Sequence, residues 1–306
     1  MDDAQIFYNG GYVREWDVAA IAEKWENGVL YIGTFLIEAN DKVKVAYTVK
    51  DGTTVIADFA FASRNEITSL NLPEGLKVIE NEAFAICEKL KKVTLPSTMK
   101  EVDSNAFSYC SALTSFNTGS GNVRIASTAF EECLKLKTIT IGKNTEFYGA
   151  YFSNGTEAFS VSNSNPYYSS DENGVLYNKD KTVLLAYPAY SKATSFTVPE
   201  TVKAINLLAF VSTENLETVK MTSVEEIGGY AFCFSGIKNI DFGNKIKSIK
   251  ENVFSDCEKL EEIKIPASLE EYVVDLIDNR HKYTVDKNNK YYSSENGNFL
   301  NKSKKI

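Results

Sequence analysis

Residues 67–87 read Ile67-Thr68-Ser69-Leu70-Asn71-Leu72-Pro73-Glu74-Gly75-Leu76-Lys77-Val78-Ile79-Glu80-Asn81-Glu82-Ala83-Phe84-Ala85-Ile86-Cys87. Two periodicities share this stretch. Leu70-x-Leu72 alternates apolar and polar, the mark of a short strand with one buried face. Ala83-Phe84-x-x-Cys87 follows without alternation and reads as a turn that sinks one ring into a core. The unit then begins again at Leu90-x-x-Val93-x-Leu95-Pro96. The Ala-Phe pair marks the phase: Ala60-Phe61, Ala83-Phe84, Ala106-Phe107 and Ala129-Phe130 are spaced by 23 residues. Ala209-Phe210, Ala231-Phe232 and Val253-Phe254 are spaced by 22.

A repeat of this length is one supersecondary unit that cannot bury its own apolar edge, so neighbours must stack. The alternation predicts strands starting at Tyr47, Leu70, Val93, Phe116, Ile139, Phe159, Phe196, Val219, Ile240, Ile263 and Tyr283. Eleven parallel strands make one continuous curved sheet about 50 Å long. The fold class expected is α/β but strand-dominated: a right-handed solenoid, with short helical or 3-10 turns and inserted β-hairpins. The inserts repeat too. Asn165-Pro166-Tyr167-Tyr168 leads to Asn173-Gly174-Val175-Leu176-Tyr177, and Lys290-Tyr291-Tyr292 leads to Asn296-Gly297-Asn298-Phe299-Leu300. A third version is Asn27-Gly28-Val29-Leu30-Tyr31. Asn-Gly between apolar runs signals a tight hairpin, because both residues tolerate positive φ. Each insert is therefore expected to project from the solenoid edge as a hairpin.

The organisation expected is an N-terminal capping helix and hairpin over 1–46, the repeat solenoid over 47–285 with an insert at 162–195, and a truncated second hairpin insert over 286–306. The helix is read from Val13, Trp16, Ala20 and Ile21 at helical spacing within Val13 to Trp25. Both ends look cut, as in a piece of a longer protein.

These repeats resemble the BspA-type leucine-rich repeats of surface proteins from anaerobic bacteria and some mucosal protists. The match runs from about residue 45 to 285 and departs from the pattern at Phe147–Phe159 and Tyr272–Tyr283. The resemblance implies an extracellular or cell-surface adhesion module that binds a host or microbial protein or glycan. A non-catalytic spacer holding another domain away from the cell is the alternative.

Composition agrees with a binding role in a negative sense. The 306 residues carry a net charge of −8 and no basic stripe, which disfavours nucleic acid or anionic membrane as partner. No apolar run reaches the ~18 residues of a membrane span. No enzyme signature is found: no Gly-x-Ser-x-Gly, phosphate loop or dinucleotide fingerprint occurs. Neither cofactor nor metal is expected, and the chain is expected to be a monomer. His281, the sole histidine, lies in the polar run Asp278–Lys282 and reads as a solvated loop residue. Glu131-Glu132, Glu225-Glu226, Glu261-Glu262 and Glu270-Glu271 occupy water-facing repeat positions. Asp171-Glu172-Asn173-Gly174 lacks the alternating ligands of a calcium loop and reads as a turn.

Cys87, Cys110, Cys133 and Cys257 each follow a repeat phenylalanine by three residues, and Cys233 follows one directly. Stacked coils hold them near enough for a bridge, but an odd total and parallel inward side chains favour five free thiols, filling a small buried slot. The binding face follows from alternation. The outward row reads Thr48, Asn71, Thr94, Asn117, Thr140, Ser160 and Thr197, and charge enters with Lys220, Asp241 and Lys264. The candidate ligand-binding residues are Thr94, Asn117 and Thr140 on this face, and Tyr167 and Tyr168 on the insert.

Overall fold

The computed structural model describes residues 6–8, 11–13, 25–148, 156–272 and 281–302. Its front face consists of the strands Val45–Thr48, Ile67–Asn71, Lys92–Thr94, Ser115–Asn117, Thr138–Ile141, Ala158–Val161, Ser195–Thr197, Thr218–Lys220, Asn239–Asp241, Glu262–Ile265 and Lys282–Val285. Each contains one of the expected strand starts. Pairing is parallel and in repeat register, with Val93 opposite Phe116, Phe116 opposite Ile139 and Ile139 opposite Phe159. The middle residue of each of these strands is buried.

The expected single sheet is interrupted. Its ladders form groups of two, four, three and two strands. Between Ala158–Val161 and Ser195–Thr197 the reason is the insert itself: Phe159 N–H donates to Gly174 O at 2.9 Å, so the insert takes the place of the next strand.

A second sheet backs the first. It is built from Phe35–Ala39, Val55–Ile56, Val78–Ile79, Glu101–Val102, Arg124–Ala126 and Glu146–Tyr148, and resumes with Val183–Ala186, Ala204–Ile205, Glu226–Ile227, Ser248–Ile249 and Glu271–Tyr272. Its parallel ladder joins Ile56, Ile79, Val102, Ile125 and Phe147 across successive coils. Most of these strands span two residues, too short to show alternation in sequence.

Two of the hairpins belong to this sheet and do not project from it, while Tyr292–Glu295 and Asn298–Asn301 pair only with each other. Val29–Ile32 and Phe35–Ala39 pair antiparallel, and Phe35–Ala39 then pairs parallel with Val55–Ile56. Leu176–Asn178 and Val183–Ala186 repeat the device ahead of Ala204–Ile205. Their apolar side chains make embedding favourable: Val175, Leu176, Tyr177 and Leu184 are fully buried. Both Asn27-Gly28 and Asn296-Gly297 have positive φ at each residue, as a tight hairpin turn requires. The capping helix expected from Val13 to Trp25 falls on residues 14–24, outside the described residues; the flanking Gly11–Val13 and Trp25–Glu26 are strands.

The return turns are neither α-helical nor 3-10; among the described residues there is no helix, which corrects the expected fold class. The backbone donors explain this. Phe59, Phe61 and Ser63 N–H donate to Asn81, Ala83 and Ala85 carbonyls one coil further on, while Ala60, Ala62 and Arg64 N–H close local turns onto Ala57, Phe59 and Phe61. Phe84 N–H reaches Ala106 O at 2.8 Å, and Phe107 N–H reaches Ala129 O at 2.8 Å, by the same rule. Every second donor is therefore spent between coils, whereas a helix would use them all within the segment. Matching left-handed residues recur at a spacing of four, Glu82 and Ile86 at φ 53° and 61°, Asn105 and Tyr109 at 54° and 57°. The result is a right-handed, strand-dominated solenoid.

Inside, the repeat phenylalanines stack. Ring centroids of Phe61, Phe84, Phe107 and Phe130 are successively 4.9, 5.2 and 6.1 Å apart, with the rings nearly parallel. Tyr187, Phe210, Phe232 and Phe254 form a second stack at 5.2, 4.6 and 5.8 Å. Ala186-Tyr187 of the insert thus stands where another coil has Ala-Phe. The hairpin separates two cores: Leu176 and Ala186 pack with the N-terminal coils, Val175, Tyr177, Leu184 and Tyr187 with the C-terminal ones.

All five cysteines are free and buried. The repeat thiols are more than small apolar fillers. Cys87, Cys110 and Cys133 Sγ donate to the carbonyls of Phe61, Phe84 and Phe107 in the preceding coil at 3.3, 3.3 and 3.1 Å. Cys257 does the same to Phe232 at 3.0 Å. Thr213 and Ser235 fill the slot in other coils, with Thr213 Oγ1 donating to Phe210 O at 2.7 Å. The slot selects a small donor, and burial pushes the Cys87 and Cys133 thiols up to about 12, so they stay protonated and inert.

Candidate ligand-binding surface

The front strands place Thr94, Asn117 and Thr140 side by side in one ladder row. Thr94 and Thr140 are exposed and Asn117 is half-buried, its Oδ1 accepting from Gly119 N–H at 2.9 Å. That bond shapes the turn beyond the strand. Gly119 has φ 72°, and a Cβ there would stand 2.6 Å from Leu95 O. Beneath the turn, Thr118 and Thr145 hydroxyls share a buried hydrogen bond of 2.6 Å. The row is thus a small, polar, rigidly backed surface.

The two insert tyrosines part company. Tyr167 is 43% exposed. The Tyr168 ring packs edge-on against Phe147, and its hydroxyl accepts from Phe147 N–H at 3.0 Å and donates to Phe147 O at 3.3 Å. Of the other insert tyrosines, Tyr187 and Tyr292 are buried and Tyr291 is exposed.

Asn165 holds the loop carrying them. It is fully buried; its Nδ2 donates to Gly142 O and Thr145 O at 2.8 and 3.0 Å, and its Oδ1 accepts from Tyr167 and Tyr168 N–H at 2.8 and 2.9 Å. Asn289 repeats all four bonds in the second insert, with Pro266 O, Leu269 O and Tyr291 and Tyr292 N–H. The loop bearing Tyr167 is thereby fastened to the turn that follows Thr138–Ile141. In the sequence the signal of this role is the return of the asparagine at Asn289, 124 residues on.

A further concavity lies elsewhere on the front face. A cleft of about 800 Å³ opens where Asn239–Asp241 and Glu262–Ile265 lie side by side without a common ladder. Lys238, Asp241, Glu262, Lys264 and Thr284 line it. The entry of charge after residue 219 was the sequence signal for it. Partners are already close: Lys238 pairs with Glu217 at 2.7 Å, and Glu262 accepts from Thr284 Oγ1 at 2.6 Å.

His281 is buried, not solvated, with Nε2 3.4 Å from Cys257 O. Asp171 closes its turn as expected, Oδ1 accepting from Asn173 and Val175 N–H and Oδ2 from the Tyr177 hydroxyl. Among the described residues no group of three or more His, Cys, Asp or Glu is placed to hold a metal ion, and no helix is long and apolar enough to cross a membrane.

On the opposite side Asp58, Glu80 and Asp103 stand on three successive coils. Partial burial raises the Asp58 and Glu80 carboxyls above their usual range, and the charges of their neighbours, Asp103 and Glu82 among them, raise them further. Glu80 Oε2 accepts from Asp58 N–H at 3.2 Å, and the Tyr148 hydroxyl donates to Asp103 at 2.9 Å. A raised folded-state pKa means that the folded chain binds more protons than the unfolded one. Stability therefore falls as pH rises from the ordinary value of 4.5 through the raised one. Glu80→Gln keeps the accepting oxygen and removes the charge. It should raise Tm by about 2 °C at pH 7.5, a modest gain because solvent screens the site. The advantage should shrink to nothing as pH falls toward 4.5 in thermal melts. An advantage that grows on acidification would refute the carboxylate stack.

Comparison with known proteins agrees with this architecture. The BspA type leucine rich repeat region, in 6 copies, matches residues 42–159 and 186–304, well over half the chain. None of the curated proteins compared with it matches. Among solved structures, the pneumococcal vaccine antigen PcpA is 21% identical, with a TM-score of 0.68 over 85% of this chain and 79% of that one. A leucine rich cell surface protein from Faecalibacterium prausnitzii is 20% identical, with a TM-score of 0.46 over 93% of this chain and 86% of that one. A leucine-rich repeat protein from Eubacterium ventriosum is 18% identical, with a TM-score of 0.42 over 89% and 96%. The chain belongs to the BspA-type leucine-rich-repeat family.

Proposed function

We propose that the chain holds an extracellular protein or glycan against its front sheet, at the row Thr94, Asn117 and Thr140, with the insert tyrosines as a flanking anchor. One observation carries this reading: three small polar side chains from three coils stand in a single ladder row on a doubly backed frame. Such a surface is preordered, so binding loses little conformational entropy. Tyr167 supplies the exposed aromatic group that the row lacks. Tyr168 serves by positioning its neighbour. In this proposal 1–46 is the capping region, 47–285 the solenoid and 286–306 the second hairpin insert.

The test is a screen of the intact chain against immobilised matrix proteins and mucosal glycans, repeated with Thr140→Arg and Tyr167→Ala. Both side chains point into solvent, so folding should survive. At least one variant should weaken a captured ligand tenfold or more, which is about 1.4 kcal/mol. Unchanged affinity in both would place the ligand elsewhere. Capture of nothing would favour the spacer.

A further inference from the structure

The two insert loops are alike down to single hydrogen bonds. Besides the four bonds of Asn165 and of Asn289, Ser170 Oγ accepts from Val161 N–H at 3.1 Å, and Ser294 Oγ from Val285 N–H at 3.0 Å. Phe159 N–H donates to Gly174 O at 2.9 Å, and Tyr283 N–H to Gly297 O at 2.8 Å. The paired rings match as well: Tyr167 and Tyr168 lie 6.0 Å apart at 50°, Tyr291 and Tyr292 6.4 Å apart at 52°. Each loop is fastened to the turn after its own preceding front strand, so both emerge from the same edge of the solenoid. The first insert and four front strands lie between them, which sets the loops on the order of 30 Å apart.

What the loops show to water is also the same. Tyr291 is 44% exposed, against 43% for Tyr167, and among the described residues neither hydroxyl has a hydrogen-bond partner. Beside each ring stands an exposed ammonium. Lys179 Nζ donates to Asn165 O at 2.7 Å and Lys302 Nζ to Asn289 O at 2.6 Å, in each case two residues before the exposed tyrosine. An ammonium has three N–H groups, so even Lys179, which also reaches Asn163 O, keeps one to offer. Packing does not account for the repetition. Val175, Leu176 and Tyr177 of the first hairpin are Asn298, Phe299 and Leu300 in the second, and Pro166 is Lys290. The water-facing tyrosine and its lysine are unchanged.

We infer that the two loops are equivalent subsites for one acidic polysaccharide. Each takes a sugar ring against its exposed tyrosine and that sugar's carboxylate against its lysine. The flat phenol offers an apolar face to the C–H face of a pyranose and a hydroxyl to its rim, and the ammonium adds a charge-assisted hydrogen bond. Two like subsites call for a ligand that presents the same chemistry twice, as a polymer with a short repeat does. The inference rests on the proposed role of Tyr167 as an anchor, but not on the Thr94–Thr140 row.

The experiment titrates the intact chain with polygalacturonate, hyaluronan and polysialic acid, with dextran as the neutral control, and with a tetrasaccharide of whichever polymer binds. At least one acidic polymer should bind, and dextran should not. Calorimetry should count two tetrasaccharides per chain, and one in either Tyr167→Ala or Tyr291→Ala. Each of these variants should weaken the polymer at least tenfold, because engagement of both loops at once is lost. The double variant should bind neither form. Loss in both tyrosine variants with none in Thr140→Arg would uphold the subsites and remove the row. Loss confined to Tyr167→Ala would keep the single anchor beside the row and overturn the paired subsites. Equal binding of dextran, or no binding of any acidic polymer, would overturn the assignment as well.

Discussion

Asn165→Ala should lower stability by about 3–5 kcal/mol in urea denaturation, although the side chain lost is small. Asn165 is fully buried and uses all four of its hydrogen-bonding positions. Alanine would leave Thr145 O and the Tyr167 and Tyr168 N–H groups without protein partners and Gly142 O with only the 3.4 Å bond from Thr145 N–H, each lost partner costing about 1–3 kcal/mol before relaxation. Lys179 adds to the cost, because its ammonium donates to Asn163 O and Asn165 O at 3.0 and 2.7 Å and depends on the same loop geometry. Asn165→Asp keeps the accepting half and sets a negative charge against two carbonyl oxygens, so it should be no milder than alanine. Asn289→Ala tests the same fastening in the second insert. A loss below about 1 kcal/mol for Asn165→Ala would mean that water satisfies the loop and that asparagine is not its fastener.

Phe107→Ala should cost about 3–5 kcal/mol, and Phe107→Leu about 1–1.5. Phe107 is fully buried between Phe84 and Phe130, with Phe116 edge-on at 5.5 Å. Stacked coils couple mainly to their neighbours. A Phe84→Leu/Phe107→Leu pair should therefore be non-additive, whereas Phe107→Leu with Phe232→Leu should add within about 0.5 kcal/mol. The insert hairpin separates those two cores. Additivity in the first pair or strong coupling in the second, read from chemical denaturation, would contradict a nearest-neighbour solenoid.

The front strands were legible residue by residue, because a two-residue alternation repeated every 22 or 23 positions is local information that stacking only copies. Val93, Phe116 and Ile139 face inward in register for that reason, and Thr94, Asn117 and Thr140 face outward. The buried cysteine slot was legible for the same reason. Asn27-Gly28 and Asn296-Gly297 were readable as hairpin turns because positive φ at both residues is a backbone preference. The back sheet was not legible. Strands as short as Val78–Ile79 and Glu101–Val102 exist only through the ladder that the next coil supplies. Nor did the sequence show that the return turns avoid helix, since the donors of Phe61 and Phe84 go to a coil 22 residues ahead. Tyr167 and Tyr168 are identical letters side by side. Phe147, brought beneath the insert by folding, decides that one is tied down and the other faces water. Sequence by itself determined which residues face in, which face out and where the chain turns, since those depend on local spacing and backbone preference. Tertiary structure alone decided where the hairpins lodge and which of the two tyrosines faces water, because each is set by atoms of another coil.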